Sequence, residues 1–205
     1  MKINKSGDVI EPTPKVKKEK YSTKEKKNSA IKQDANKLFT REASKNVGKA
    51  LILDAETLIT TSYLARRGFK NIIVPNPYVY DKIKKDKRIQ AKNMLVGEYI
   101  ANCSDRLTAV WLDYCGTFDG SESTGINPQE DIRNLFKKKL LTDNSTFAVT
   151  FSFRTQHRVA YPGESEDRVR KCIANEARIN GYSVVPERKI TYTGIYMILY
   201  RVYSQ

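Results

Sequence analysis

Residues 36–205 are expected to fold as one α/β domain: a seven-stranded, mostly parallel sheet with helices on both faces and a C-terminal antiparallel β-hairpin. Three features of the sequence predict this class. Short apolar runs without polar alternation recur from residue 50 onward, as strands buried on both faces do. Segments with apolar residues at helical spacing separate the earlier runs, the pattern of a parallel sheet covered by its own crossover helices. The last two runs have no helical segment between them and must pair antiparallel, because a parallel return needs a crossover of about a dozen residues.

The elements follow in order. Between residues 36 and 49, Phe39, Ala43 and Val47 recur every fourth residue with Leu38 beside the first, which predicts a short amphipathic helix leading into the fold. Ala50-Leu-Ile-Leu53 is the first strand. Leu58, Thr61, Leu64 and Ala65 then share a helical face, and Gly68 stands where a helix stops. Asn71-Ile-Ile-Val74 is the second strand, ended by Pro75-Asn-Pro77, whose prolines cannot continue a ladder. Tyr80 and Ile83 mark an exposed second helix, Met94-Leu-Val96 reads as the third strand, and residues 99–103 as the helix after it. Thr108-Ala-Val-Trp-Leu112 is the fourth strand. A Gly/Ser/Thr-rich loop over 117–125 follows, and Asn127-Pro128 opens a helix with Ile132, Leu135, Phe136 and Leu140 on one face. Residues 146–151 form the fifth strand, 166–180 a helix closed by Gly181, and 182–185 and 195–200 the final pair.

The charge is unevenly spread. The chain has 205 residues, 37 Lys and Arg against 23 Asp and Glu, and a net charge of +14. Residues 1–50 hold 14 of the basic residues and only 6 of the acidic ones, so this quarter carries more than half of the excess. Its first 35 residues, with runs such as Lys15-Val-Lys-Lys-Glu-Lys20 and almost no aliphatic periodicity, cannot offset their ordering entropy and read as a disordered basic tail. Such a surplus favours polyanionic partners, nucleic acid first, gripped through the tail and basic loops. No apolar stretch long enough to span a bilayer is present and Met1 is followed by polar residues, so a soluble intracellular protein, cytoplasmic or nuclear, is expected, with no membrane partner. The abundance of Lys, Asn, Ile and Tyr suits an AT-rich genome, viral or microbial. Cys103, Cys115 and Cys172 stand at no metal-binding spacing and His157 is the sole histidine, which excludes His-rich metal sites and points to no metal.

The order of five β/α units, a further helix and a terminal hairpin resembles that of class I S-adenosylmethionine-dependent methyltransferases over about residues 48–205. The resemblance implies a Rossmann-like sheet whose last strand inserts antiparallel beside the fifth, with S-adenosylmethionine as cofactor. In an open α/β sheet ligands sit outside the carboxyl ends of the strands. By the resemblance, the cofactor then meets Asp54, Ala55, Glu56 and Thr57 after the first strand, where the family's glycine-rich turn is replaced by a segment with no glycine. It implies Asn76 at the ribose hydroxyls after the second strand, Gly97 and Glu98 at the adenine amino group, and Tyr99 against the ring. Asp113-Tyr-Cys-Gly116 closes the fourth strand where the family places the methyl acceptor: Asp113 takes a proton or orients the acceptor, Tyr114 stacks on a planar substrate, and Gly116 leaves room for approach. Arg154, His157 and Arg158 after the fifth strand suit a phosphate or acceptor clamp.

Each residue also has a plainer reading. Asp54 or Glu56 can cap the following helix. Pro75-Asn-Pro77 can be a strand terminator, Glu98 a surface residue at a helix start, Cys115 a small buried hydrophobe and the 154–158 segment a solvated basic loop. Two functions therefore stand side by side: a methyltransferase acting on nucleic acid, and a binding or structural module on the same fold that has lost the cofactor site.

Overall fold

The computed structural model describes residues 30–114, 116–153, 162–192 and 194–205. The tail expected over 1–35 therefore lies mostly outside the described residues. Its last six residues differ from expectation: they form the first turns of α1, Ala30–Ala43. Ala35, Phe39 and Ala43 are fully buried, whereas Val47 lies beyond the helix end and is exposed.

Seven strands form one sheet in the order β3-β2-β1-β4-β5-β7-β6. These are β1 Lys49–Ile52, β2 Asn71–Pro75, β3 Gln90–Lys92, β4 Leu107–Asp113, β5 Leu141–Ser152, β6 Tyr182–Tyr192 and β7 Ile195–Ser204. The first five run parallel, and β7 pairs antiparallel with both β5 and β6. Between them lie α2 Ile59–Arg66, α3 Tyr80–Ile83, α4 Val96–Asn102, α5 Pro128–Lys137 and α6 Pro162–Ile179.

The pleat sorts the strands into two cores. On one face Leu51, Val110, Leu112, Phe147, Val149 and Ile198 pack with α4, α5 and α6; on the other Ala50, Ile52, Ala109, Trp111 and Leu199 pack with α1, α2 and α3. Successive residues of one strand face opposite layers, so both layers must be apolar and no polar alternation survives in the sequence. Trp111 shows how tightly the second layer is specified: its ring lies 5.0 Å from Phe39 of α1 and its indole N–H donates to the Thr150 hydroxyl at 2.8 Å.

The third strand and the terminal pair also differ from expectation. The third strand is Gln90–Lys92, not Met94-Leu-Val96, which leads into and begins α4. The terminal strands are longer than expected: the nine residues between them belong largely to β6, whose ladder to β7 shifts register between Pro186 and Arg188. Proline is tolerated there because β6 is the sheet edge.

Candidate active site at the carboxyl edge of the sheet

The parallel strands deliver Asp54, Asn76, Asn93 and Asp113 to one edge, each just beyond or at the carboxyl end of its strand. Neighbouring contacts hold these ends together. The Asn76 amide donates to the Asp54 carbonyl at 3.1 Å, and the Asn76 backbone N–H donates to the Lys92 carbonyl at 3.1 Å.

Asp54 is buried, and both its oxygens are used by the chain. Oδ1 accepts the Ala55 N–H at 3.0 Å and Oδ2 the Thr61 N–H at 2.8 Å in the first turn of α2. The carboxylate thus caps α2 from four residues before the formal cap position. Burial pushes it up to about 6 against the pull of those amides, and the nearby Asp113 charge adds to the rise. Leu58, where the turn enters α2, has φ 48°, a left-handed conformation that glycine adopts without strain and that costs a leucine about 1–2 kcal/mol. Its side chain is 4% exposed within the α1/α2 core, and burial worth about 1.5–3 kcal/mol holds the turn in place. The glycine-free segment is therefore a closed, side-chain-anchored turn. Glu56 is exposed and pairs with Lys82 of α3, and Ala55 accepts the Leu58 N–H at 3.0 Å through its carbonyl; Thr57 lies in the same turn.

Asn76 also accepts the Tyr78 N–H at 3.1 Å through Oδ1, which leaves that oxygen one lone pair. The three residues expected at the adenine lie in α4 and not directly at the end of the third strand, which ends at Lys92. Gly97 is a packing residue: a Cβ on it would lie 2.3 Å from Asp131 Oδ1 on α5. Glu98 is exposed and accepts the Leu95 N–H at 2.9 Å, half of a capping box on α4. Tyr99 donates its hydroxyl to Asp105 at 3.0 Å, just before β4 and so at the opposite edge of the sheet. The residues that do follow β3 are Asn93, which is exposed, and Met94.

At the end of β4 the pleat separates the expected pair. Asp113 faces the α1 layer, partly exposed, with Lys32 Nζ of α1 at 3.8 Å. Tyr114 turns to the other layer, where its ring is 5% exposed, stacks on Phe151 at 5.3 Å and donates its hydroxyl to the buried Asp131 at 2.6 Å. Burial raises Asp131 to about 6 and the Tyr114 phenol well above its ordinary value. The ring is thus a core element and not a stacking platform. Gly116 accepts the Ser152 N–H at 2.9 Å, and space around its Cα is open. Cys115, Arg154, His157 and Arg158 lie outside the described residues.

Beyond β4, an open cleft of about 420 Å³ is lined by Asp119, Ser121, Glu122, Gly125, Ile126 and Asn127. Its charged residues are acidic. Among the described residues no group of three or more His, Cys, Asp or Glu is arranged to hold a metal, and no helix is long and apolar enough to cross a membrane.

Two site residues escaped the sequence reading. Lys32 was assigned to the tail, and only its helical spacing with Asn36 and Phe39 signals otherwise. Asn93 was hidden by the misplaced third strand.

No protein-family profile matches the chain, and no curated protein sequence is significantly similar to it. Solved structures do resemble it. The N-methyltransferase NodS from Bradyrhizobium japonicum, solved with S-adenosyl-l-homocysteine, is 11% identical with a TM-score of 0.60 over 87% of this chain and 90% of that one. The 1,6-didemethyltoxoflavin-N1-methyltransferase of Burkholderia thailandensis is 12% identical with a TM-score of 0.56, covering 87% and 80%. The fibrillarin pre-rRNA processing protein of Methanococcus jannaschii is 13% identical with a TM-score of 0.55, covering 80% and 70%. Strand order and these likenesses agree: the chain has the class I, Rossmann-like fold of S-adenosylmethionine-dependent methyltransferases.

Proposed function

We propose that the chain is an S-adenosylmethionine-dependent methyltransferase acting on nucleic acid, with the cofactor across the carboxyl ends of β1, β2 and β3 and the acceptor beside Asp113. The observation that supports it most is the strand order together with a polar side chain at each of those strand ends. The residues present suit the cofactor at two of its three contact regions. Asn76 has one oxygen lone pair for a ribose hydroxyl, and Asn93, exposed beside Met94, offers an amide to the adenine edge. The turn after β1 is closed by Leu58 and gives only its rim to the methionine part. When bound, S-adenosylmethionine supplies a methyl group on a sulfonium centre, a transfer that asks the protein chiefly for positioning. Asp113 accepts the proton of the acceptor nitrogen or oxygen, and Lys32 keeps a positive charge beside that carboxylate. A nucleic-acid acceptor draws support from the net charge of +14 and from a neighbour that is a pre-rRNA processing protein.

One observation favours the second reading, a binding module without cofactor: the carboxylate that follows β1 spends both oxygens on the chain's own amides. Calorimetric titration of the full chain with S-adenosylhomocysteine separates the two. Saturable heat that weakens in Asn76→Ala and Asn93→Ala supports the methyltransferase; no heat at millimolar ligand leaves the binding module.

A further inference from the structure

We infer that this chain holds nucleic acid by its phosphates at the amino edge of the sheet, opposite the Asp54/Asp113 site. The inference shares with the reading above only the partner and does not depend on a cofactor.

Parallel strands separate the two edges by construction: segments entering the strands lie at one, segments leaving them at the other. The segments entering β2, β3, β4 and β5, residues 66–70, 84–89, 102–106 and 137–140, contain eleven Lys and Arg and two Asp and Glu. Those leaving β1 to β4, residues 53–58, 76–79, 93–95 and 113–127, contain no Lys or Arg and five Asp and Glu. The basic residues of these four entering segments therefore collect at one end of the sheet.

Contacts bring these segments side by side. β2 and β3 pair with Ile73 opposite Gln90, and the Arg88 guanidinium donates to the Ser62 hydroxyl of α2 at 2.8 Å, which draws the 84–89 turn against that helix. Further along the edge, Lys138 Nζ donates to the Ile100 and Ala101 carbonyls of α4, which holds 137–139 beside 102–106. Lys84 and Arg88 have carboxylate partners in Asp81 and Asp86. Arg66, Arg67, Lys70, Lys85 and Lys87 are exposed and have no ion pair among the described residues. Such a cluster of like charges repels itself in the free protein and is relieved by a polyanion that releases its counterions.

The chemistry selects nucleic acid over a lipid surface. Peripheral membrane binding needs apolar side chains to insert beside the cations. Among the described residues the exposed large apolar ones are Ile31, Val47, Tyr78, Ile179, Val185 and Tyr203, none of them in 66–70 or 84–89. Adjacent Arg66 and Arg67 present planar forks that match phosphodiester oxygens. The acidic loops leaving β1 to β4 repel the same phosphates, so the backbone is gripped at one edge while a base reaches the other. The seven residues of β4 set the edges roughly 20 Å apart at about 3.3 Å per residue, a span of about six nucleotides at the per-strand rise of a duplex. α1 begins at the carboxyl edge, where Lys32 meets Asp113, and its far end is followed by Asn46, which donates to the Asp143 carbonyl.

The test is fluorescence polarisation of a labelled single-stranded oligonucleotide with the full chain across a salt series. The quadruple variant Arg66→Glu/Arg67→Glu/Lys85→Glu/Lys87→Glu should lower the slope of log K against log salt by about 3 and the affinity at 0.1 M salt by about two decades. The milder all-Gln variant should move both in the same direction, and circular dichroism melting of each should match the parent. Unchanged slope and affinity in both folded variants overturns the inference. So does binding of phosphatidylserine vesicles, lost in the variants, by a chain that ignores the oligonucleotide. Titration of the same variants with S-adenosylhomocysteine is read separately: its failure removes the proposed function and leaves the oligonucleotide result standing.

Discussion

Asp54 and Asp113 stand at the ends of neighbouring strands, emerge on the same face of the sheet and lie near enough for the charge of Asp113 to raise Asp54, yet they are held differently. Asp54 is 7% exposed and each of its oxygens accepts a backbone amide; Asp113 is more exposed and has Lys32 Nζ at 3.8 Å. The difference teaches that an acid at the end of a strand is not by itself a ligand group. What its oxygens already hold decides whether it is architecture or chemistry. Replacing each in turn tests the distinction. Asp54→Ala leaves the Ala55 and Thr61 N–H groups without acceptors at a buried helix start, at roughly 1–3 kcal/mol each, partly offset by removing a desolvated carboxylate. A net loss of about 3 kcal/mol in urea unfolding is expected. A loss below about 1 kcal/mol would return Asp54 to the list of available site residues.

Below that in size comes the contact that fixes the layer behind Asp113. Gly97→Ala places a methyl 2.3 Å from Asp131 Oδ1, so the buried Asp131 carboxyl must turn aside or α4 and α5 must part. Overpacking of this kind costs about 1–3 kcal/mol. Because Asp131 accepts the Tyr114 hydroxyl, the shift also loosens the end of β4. Urea unfolding should register about 2 kcal/mol; wild-type stability would show that the carboxyl or the helices yield freely.

Much of the fold was legible because the sequence repeats its signals. The apolar runs of β1, β2, β4 and β5, the Asn127-Pro128 start of α5 and the glycines after α2 and α6 each mark an element without reference to the others. β3 was not legible. It is a three-residue edge strand, Gln-Ala-Lys, with no residue fully buried, so nothing apolar announces it, while the adjacent Met94-Leu-Val96 belongs to a helix start that packs on the core. α1 was half legible for a related reason: its buried stripe is Ala35, Phe39 and Ala43, and Ala35 is silent in a lysine-rich background. The site suffered most from parity. Asp113 and Tyr114 are consecutive, and consecutive strand residues face opposite layers, so only one of them could stand on the Asp54 side. Counting alternate positions back from Trp111 would have identified Asp113 as that one.

The third effect is one of pH. Asp131 is raised to about 6 in the folded chain from an ordinary 3.8, chiefly by burial. A raised carboxyl favours the folded state while protonated, so its contribution is complete below the unfolded value and is lost as pH rises through about 6. Between pH 5 and pH 8 this one group removes about 1.4 kcal/mol of stability. Asp131→Asn keeps an acceptor for the Tyr114 hydroxyl and cannot ionise. Relative to the parent, its stability should therefore rise by about that amount from pH 5 to pH 8. Parallel pH profiles for the two proteins would mean that the buried carboxyl does not titrate in this window.

The smallest effect on folding belongs to Asp113, and this is what gives it diagnostic value. Its ion pair with Lys32 is partly solvated and 3.8 Å long, a geometry worth under about 0.5 kcal/mol, and asparagine keeps an acceptor oxygen of the same reach, so Asp113→Asn should unfold almost as the parent does. S-adenosylhomocysteine affinity should also be unchanged under the proposed function, which puts the acceptor beside this residue and the cofactor across β1, β2 and β3. Methyl transfer to the acceptor should fall by about two to four decades, the usual worth of a positioned proton acceptor. The combination of intact fold, intact cofactor binding and lost turnover is one that Asp54→Ala cannot reproduce. Were Asp113→Asn instead to unfold the chain as Asp54→Ala does, the two carboxylates would both be architectural.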